Sequence, residues 1–406
     1  MNGEPVRVCH IVTRLDLGGA QQNTLYTVSH LREPFRPSLV CGPGGLLDAE
    51  ARALAPIPVT FVPRLVRPIR PLSDLLALLR LTAILRRERP QIVHTHSSKA
   101  GILGRLAAWL ARVPVVVHSI HGFGFHDAQP RALRALLVAV ERAVAPLTSH
   151  FIAVSHANLD RGLSLGILRR DRVSLIRSGI RVAEFRGPEG RRGPRRGGGI
   201  RRELGLPEDV PLVGMIACLK PQKCPLDFVE VAARVARAVA GSAFVIAGDG
   251  ELREAARRRV DALGLGGRFH LLGWRRDVPG LLAELDVMVL TSRWEGLPRV
   301  VPEAIAAGVP IVATAVDGVT DVLRDGVTGL VAPPGDIEGI ASRVARLLRD
   351  PSLGIALCDR ARAVLAEFDI DAMVRAQESL YARLLRRFPG AGVGADRKAL
   401  SSHATY

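Results

Sequence analysis

The sequence predicts an α/β protein of two doubly wound domains facing each other across a cleft. Three observations lead there. Short apolar, β-rich runs alternate with amphipathic helical stretches along the whole chain, the order that places crossover helices on both faces of a parallel sheet. The pattern starts twice, at "VRVCHIV" and again at "PLVGMIACL". A length of 406 residues, 48% of them hydrophobic, also exceeds what a single core usually holds.

The elements follow in order. In the first half "VRVCHIV" is a strand, "GGAQQNTLYTVSHL" a glycine-started helix, and "RPSLVC" and "VTFV" further strands. The helix "PLSDLLALLRLTAILRRE", the strand "QIVHTH", a helix from Ser98 to about Ala111, the strand "VPVVVHSI", the helix "RALRALLVAVERAVA" and the strand "HFIAVS" complete it. The first domain is expected over residues 1–185, a basic linker dense in Gly and Arg over 186–206, and the second domain over 207–370. In the second domain "PLVGMIACL", "SAFVIAG", "FHLLG", "DVMVL" and "PIVAT" are strands, with "CPLDFVEVAARVARAVA" and "LREAARRRVDAL" as helices. A terminal helix, 371–388, is expected to pack back on the first domain, and 389–406 to form a disordered tail.

Composition narrows the function. "MNGEPVRVCHIV" lacks a basic region leading into an apolar core, so no signal peptide is read. The longest apolar stretch, "ILGRLAAWLARVPVVV", is broken by Arg105 and Arg112, short of a membrane span. The five cysteines are scattered without zinc-ligand spacing, which fits reduced thiols in a cytoplasmic protein. The net charge of +17 rests on arginine, since the lysines are only Lys99, Lys220, Lys223 and Lys398. Such a balance favours anionic partners. Aromatics at 4%, not interleaved with the basic runs, argue against nucleic acid.

Ligands of open α/β sheets bind outside the carboxyl ends of the strands, and the informative residues fall there. In "SRWEGLPRVVPEAIAAGVP", Glu295 follows the strand "MVLTS" and a helix begins near Pro298 or Arg299, with Glu303 in its first turns. The unpaired amides at that helix start suit phosphate. A carboxylate at Glu303 suits a ribose diol, or simply complements the helix dipole. "ACLKPQKCPLDF" puts Lys220 and Lys223 at a helix entrance, as point charges for phosphate or as a solvated pair. Gly18 and Gly19 let amides approach a diphosphate or merely make the turn; they form no GxGxxG fingerprint, so no dinucleotide and no resident cofactor is expected. His94 and His96, two apart, share a face, and His118, His121 and His126 follow on the next strand end; no third-ligand spacing accompanies them and no metal is expected. The Asp369/Asp371 pair reads as a helix cap.

Taken together these residues resemble the family 4 retaining glycosyltransferases, whose fold, GT-B, pairs two Rossmann-like domains. "EGLPRVVPE" matches the family's Glu-x7-Glu signature, followed by "AIAAGVPIVATAVDGVTDVLRDGVTGLVAPPGD" in the expected downstream form. The resemblance implies that Glu303 holds the ribose of a nucleotide-sugar donor, expected to be UDP-linked, that Glu295 binds the sugar hydroxyls beside the Gly296, Leu297 and Pro298 backbone, and that Lys223 and Lys220 bind the diphosphate. It implies that His121 contacts the donor sugar near the anomeric carbon. His121, Glu295 and Lys223 are then the catalytic set, acting without a metal. "HTHSSKAGILGRLAA" is similar to enzymes of capsule, exopolysaccharide and O-antigen synthesis, which implies a lipid-linked or oligosaccharide acceptor near His94, His96, Lys99 and Arg105. Arginines 64, 67, 70, 80, 86, 87 and 89 surround the Leu-rich helix and suggest docking on the anionic inner face of the plasma membrane. Two rivals share these features: a sugar-nucleotide 2-epimerase of the same fold, and a non-enzymatic basic protein binding membrane or nucleic acid.

Overall fold

The computed structural model describes residues 5–186 and 199–388. Most of the expected linker, 187–198, and the whole tail, 389–406, lie outside the described residues. The rest divides into two compact units. Of the described residues, the first holds those up to Ala153, with Gly162–Ile176 and 374–388; the second holds Val154–Arg161 and those between Arg177 and Met373.

The first unit is built on a parallel sheet of seven strands: β1 (Val6–Arg14), β2 (Phe35–Gly42), β3 (Val59–Phe61), β4 (Ile92–His96), β5 (Val115–Ile120), β6 (His150–Ala153) and β7 (Val173–Leu175), in the order β3-β2-β1-β4-β5-β6-β7. The second has six: β8 (Leu212–Ile216), β9 (Ala243–Ala247), β10 (Phe269–Gly273), β11 (Val287–Leu290), β12 (Ile311–Thr314) and β13 (Leu330–Ala332), in the order β10-β9-β8-β11-β12-β13. Both orders reverse beside their first strand, at β1/β4 and β8/β11, and that reversal opens a crevice at the carboxyl edge. Both faces of each sheet are covered. In the second unit Leu212, Met288 and Ile311 enter one core and Val213, Val289 and Val312 the other, the two-residue alternation of strands buried on both sides.

Several elements were not legible in the sequence. Strands β7 and β13 are three residues each, too short to show a period. The helices Ile337–Arg349 and Pro351–Ala361 also went unread, although their starts carry signals: Asp336 accepts from the Gly339 amide at 2.8 Å, and Asp350 accepts from Leu353 at 3.1 Å ahead of Pro351. Asp369 accepts from the Ala372 amide at 2.7 Å and caps the last helix, Ile370–Arg387. The chain passes to the second unit at Arg177, ahead of the boundary expected at residue 185. The reason is local packing: buried Arg177 pairs with Asp321 at 2.5 Å, and a side chain at Gly179 would meet the Ile370 backbone at 2.4 Å.

Candidate functional site

In the second unit the residues singled out by sequence converge at the carboxyl edge of β8 and β11. Lys223 ends a single 3-10 turn, Pro221–Lys223, after β8, and the helix Pro225–Ala238 follows. Glu295 lies in the loop after β11, and the helix there begins at Val300, with Glu303 in its first turn. The Lys223 ammonium donates to a Glu295 carboxylate oxygen, which also accepts from Ser292 Oγ at 2.6 Å. The sequence assigned these two side chains to different parts of a ligand; here each holds the other.

The loops are locked together by residues that sequence reasoning missed. Thr291 Oγ1 donates to the carbonyls of Lys223 and Cys224 at 3.0 and 2.9 Å, and Gln222 donates to the Trp294 carbonyl at 2.8 Å. Asp317 accepts from the Glu295 amide at 2.9 Å from a left-handed backbone, φ 34°. That conformation strains a residue other than glycine and persists only where its surroundings fix it. The neighbouring Gly318 is required by space, since a Cβ there would meet the Gly296 carbonyl at 2.0 Å. Leu297 and Pro298 are buried, and Lys220 is half-buried at the start of the Lys223 turn. Glu303 is 8% exposed; burial pushes its carboxyl above the ordinary range, and Arg299, 3.1 Å away, acts against that shift. The arrangement offers an anion a lysine and a helix start, and offers hydroxyl donors two buried carboxylates.

The first unit carries a different chemistry. His10 on β1 and His94 on β4 are register partners, and His96 lies two residues on, so all three imidazoles stand on one face of the sheet. His10 Nδ1 lies 3.1 Å from His96 Nε2, and His96 Nδ1 lies 3.2 Å from His121 Nε2, just past β5. His94 engages Tyr381 of the last helix at 2.6 Å and Ser119 at 2.8 Å. Burial lowers every one of these histidines, His10 to about 3 and His121 to about 4, with neighbouring imidazoles adding to the effect on His94 and His96. His118 faces the other side, bonded to Thr95 at 2.9 Å and packed against Gly101.

One acceptor-side expectation fails here. Arg105 is fully buried, with Nη2 donating to Glu141 at 2.6 Å and Nε to the Gly101 carbonyl at 2.8 Å, so it offers no surface charge to a phosphate. A charge on an apolar helix face can be buried when its partner is supplied by another helix, and Arg131–Val144 supplies Glu141. Lys99 is engaged too, with Asp74 at 2.5 Å and the Pro68 carbonyl. Gly18 precedes the helix Gly19–His30 with an extended backbone, and a Cβ there would crowd only the mobile end of Gln21, so the turn itself does not demand glycine.

His10, His94 and His96 bring one nitrogen each within 4.8 Å of one another, a grouping that spacing did not reveal because His10 is remote in sequence. The helix Pro71–Glu88 buries Ala77, Leu81, Ile84 and Leu85 but leaves Leu72, Leu75, Leu76 and Leu79 exposed, a stripe at helical spacing continued by Ile69. Arg64, Arg67, Arg70, Arg80, Arg86, Arg87 and Arg89 are exposed around it. No described helix is long and apolar enough to cross a membrane.

Known proteins resemble this chain along most of its length. Residues 17–184 match the model described as Glycosyltransferase Family 4, and residues 199–364 match Glycosyl transferases group 1. The chain is 32% identical over 386 residues to the UDP-Gal:alpha-D-GlcNAc-diphosphoundecaprenol alpha-1,3-galactosyltransferase of Escherichia coli, covering 93% of this chain and 96% of that one. It is 30% identical to the alpha-D-kanosaminyltransferase of Streptomyces kanamyceticus, over 71% of this chain and 76% of that one. Among solved structures, Anabaena HepE in complex with UDP and glucose superposes with a TM-score of 0.80 at 20% identity, over 93% of this chain and all of that one, and shares the fold.

Proposed function

This chain belongs to glycosyltransferase family 4, and from that premise we propose that it moves a sugar, with retention, from a UDP-sugar to a lipid-linked acceptor bearing a sugar diphosphate, in the synthesis of a cell-surface polysaccharide. The observation that carries the donor half is the convergence of Lys223, Glu295 and Glu303 at one sheet edge, locked by Thr291, Gln222 and Asp317. Glu303 accepts the ribose hydroxyls and Glu295 those of the sugar. Lys223, with Lys220 and the amides at the Val300 helix start, stabilises the charge that grows on the departing diphosphate. Those groups supply the positive charge, so the reading requires neither a metal nor a resident cofactor. His121 acts on the reacting sugar. The lipid-linked acceptor is supported by the E. coli relative that spans nearly the whole chain.

A cytoplasmic enzyme docked on the inner membrane face accords with that acceptor and with the exposed Leu stripe and its arginine rim. The test is a thermal-shift and UDP-release screen of UDP-galactose, UDP-glucose, UDP-N-acetylglucosamine and GDP-mannose, with and without GlcNAc-diphosphoundecaprenol, in EDTA. Stabilisation by UDP-sugars and acceptor-dependent transfer in chelator are expected. Preference for the GDP-sugar, or activity abolished by EDTA, would sink the corresponding part.

A further inference from the structure

We infer that His10 and His96 form a buried hydrogen-bonded relay that sets the tautomer of His121, so that His121 presents Nδ1–H as a donor to the substrate. The inference rests on the reading that His121 acts on the reacting sugar.

The links are His10 Nδ1 to His96 Nε2, 3.1 Å, and His96 Nδ1 to His121 Nε2, 3.2 Å. Burial keeps all three rings neutral near pH 7, and a neutral imidazole carries one N–H and one bare nitrogen. Both links must therefore run in the same direction. If donation runs from His10 to His96 to His121, His10 is left with a bare Nε2 and His121 with Nδ1–H. If it runs the other way, His10 is left with Nε2–H and His121 with a bare Nδ1.

The two ends decide between these states. His10 Nε2 and His121 Nδ1 are both buried atoms without a hydrogen-bond partner; His10 is 0% exposed as a whole, inside the sheet, whereas His121 is half-buried as a residue, at the strand end where the loop after β5 begins. A buried N–H without an acceptor is costlier and rarer than an under-used acceptor. The outward direction leaves only a bare nitrogen at His10, where the sheet interior can supply no partner, and moves the unmet N–H to His121 at the strand end, where the acceptor it lacks would come from a substrate oxygen on binding. His94, tilted against His96 with ring centroids 4.2 Å apart and tied to Tyr381 and Ser119, fixes the middle ring. A shared metal ion is the weaker reading. Tetrahedral zinc would bring its nitrogens to about 3.3 Å from one another, against a spread here of up to 4.8 Å, and both His94 nitrogens are already engaged.

The test uses the full chain with 15N-labelled histidine. In the wild type the His121 signals should report a protonated Nδ1 and a bare Nε2. His10→Leu removes the first donor and should mix the His121 tautomers and lower turnover roughly tenfold, the kinetic equivalent of one hydrogen bond, with UDP affinity unchanged. His10→Asn, whose amide can stand where Nδ1 stood, should restore both readouts; His10→Gln, which reaches the Nε2 position instead, should not. Should His10→Leu fail to fold, the Asn and Gln variants carry the comparison. Wild-type turnover with an unchanged His121 tautomer in His10→Leu and His10→Gln overturns the relay. So does stoichiometric zinc that is retained by the wild type and lost in His10→Asn. If His121→Ala itself turns over normally, the reading of His121 fails instead, and the tautomer measurement still reports whether the relay exists.

Discussion

The second unit gathers ionised groups at the carboxyl edge of its sheet, while the first gathers imidazoles that burial keeps neutral. Their strand orders agree through six positions, and each reverses beside its first strand. What differs is how polar side chains are satisfied. Lys223, Ser292 and Asp317 reach Glu295 from the turns and connections that follow three strands, where one substitution removes one bond. His10, His94 and His96 stand on adjacent strands, where register fixes their spacing and the core fixes their charge. The same topology thus yields one edge suited to holding an anionic ligand and one suited to orienting a neutral hydrogen-bond donor.

The largest effect should come from the charged edge. Lys223→Ala removes a cation whose interaction strengthens as the diphosphate leaves and also strands Glu295, so turnover should fall about 100 to 1000-fold and UDP affinity should drop with it. Calorimetry beside turnover assays checks this; unchanged UDP affinity would remove Lys223 from the diphosphate. His121→Ala should instead lower turnover, by roughly 100-fold on the scale of a transition-state contact, while UDP binding stays near wild type. Equal loss of UDP affinity in both variants would erase the contrast between the units.

Stability sharpens the same contrast. His10, His94, His96, His118 and His121 have folded-state values below 6.5, so the unfolded chain binds their protons first as pH falls. Stability from these groups is present above pH 6.5 and is lost as pH drops from there toward about 4, where His121 titrates, and on toward about 3, where His10 does. Each contributes about 1.4 kcal/mol per pH unit inside its window. Hydrogen exchange between pH 7 and 5 should show the first unit loosening before the second. Glu303 carries the opposite sign: its value is raised, so its contribution is full at low pH and declines as pH rises through that value. Glu303→Gln should therefore keep the melting temperature near wild type at pH 7 while weakening UDP binding. A marked loss of melting temperature would return Glu303 to a structural role.

A buried pair outside the charged edge gives the next effect. Arg105→Met leaves Glu141 buried without its partner and should cost about 3–5 kcal/mol, with acceptor affinity unchanged in whatever enzyme remains folded. A selective loss of acceptor affinity at full stability would restore the surface role first expected of Arg105. The smallest effect concerns the helix Pro71–Glu88. Leu72→Ser combined with Leu76→Ser should reduce binding to vesicles containing anionic lipid, and salt should weaken it further because surface charge is screened within about 8 Å at physiological ionic strength. Vesicle binding indifferent to both would remove the docking surface from the comparison.

By itself the sequence determined the fold class, the repeated α/β pattern, most strands and the residues that gather at the carboxyl edge of the second sheet, because alternation, helix-start chemistry and the Glu295-to-Glu303 spacing are local and survive in one dimension. It placed Lys223 and Glu303 correctly at helix entrances for the same reason. Only the tertiary structure decided which polar groups satisfy one another. It paired Lys223 with Glu295 across 72 positions, sank Arg105 against Glu141, and set His10 beside His94 and His96 across more than eighty. Those pairings depend on strand order and register, and a buried side chain's charge depends on the neighbours that exclude water from it, none of which a local pattern encodes.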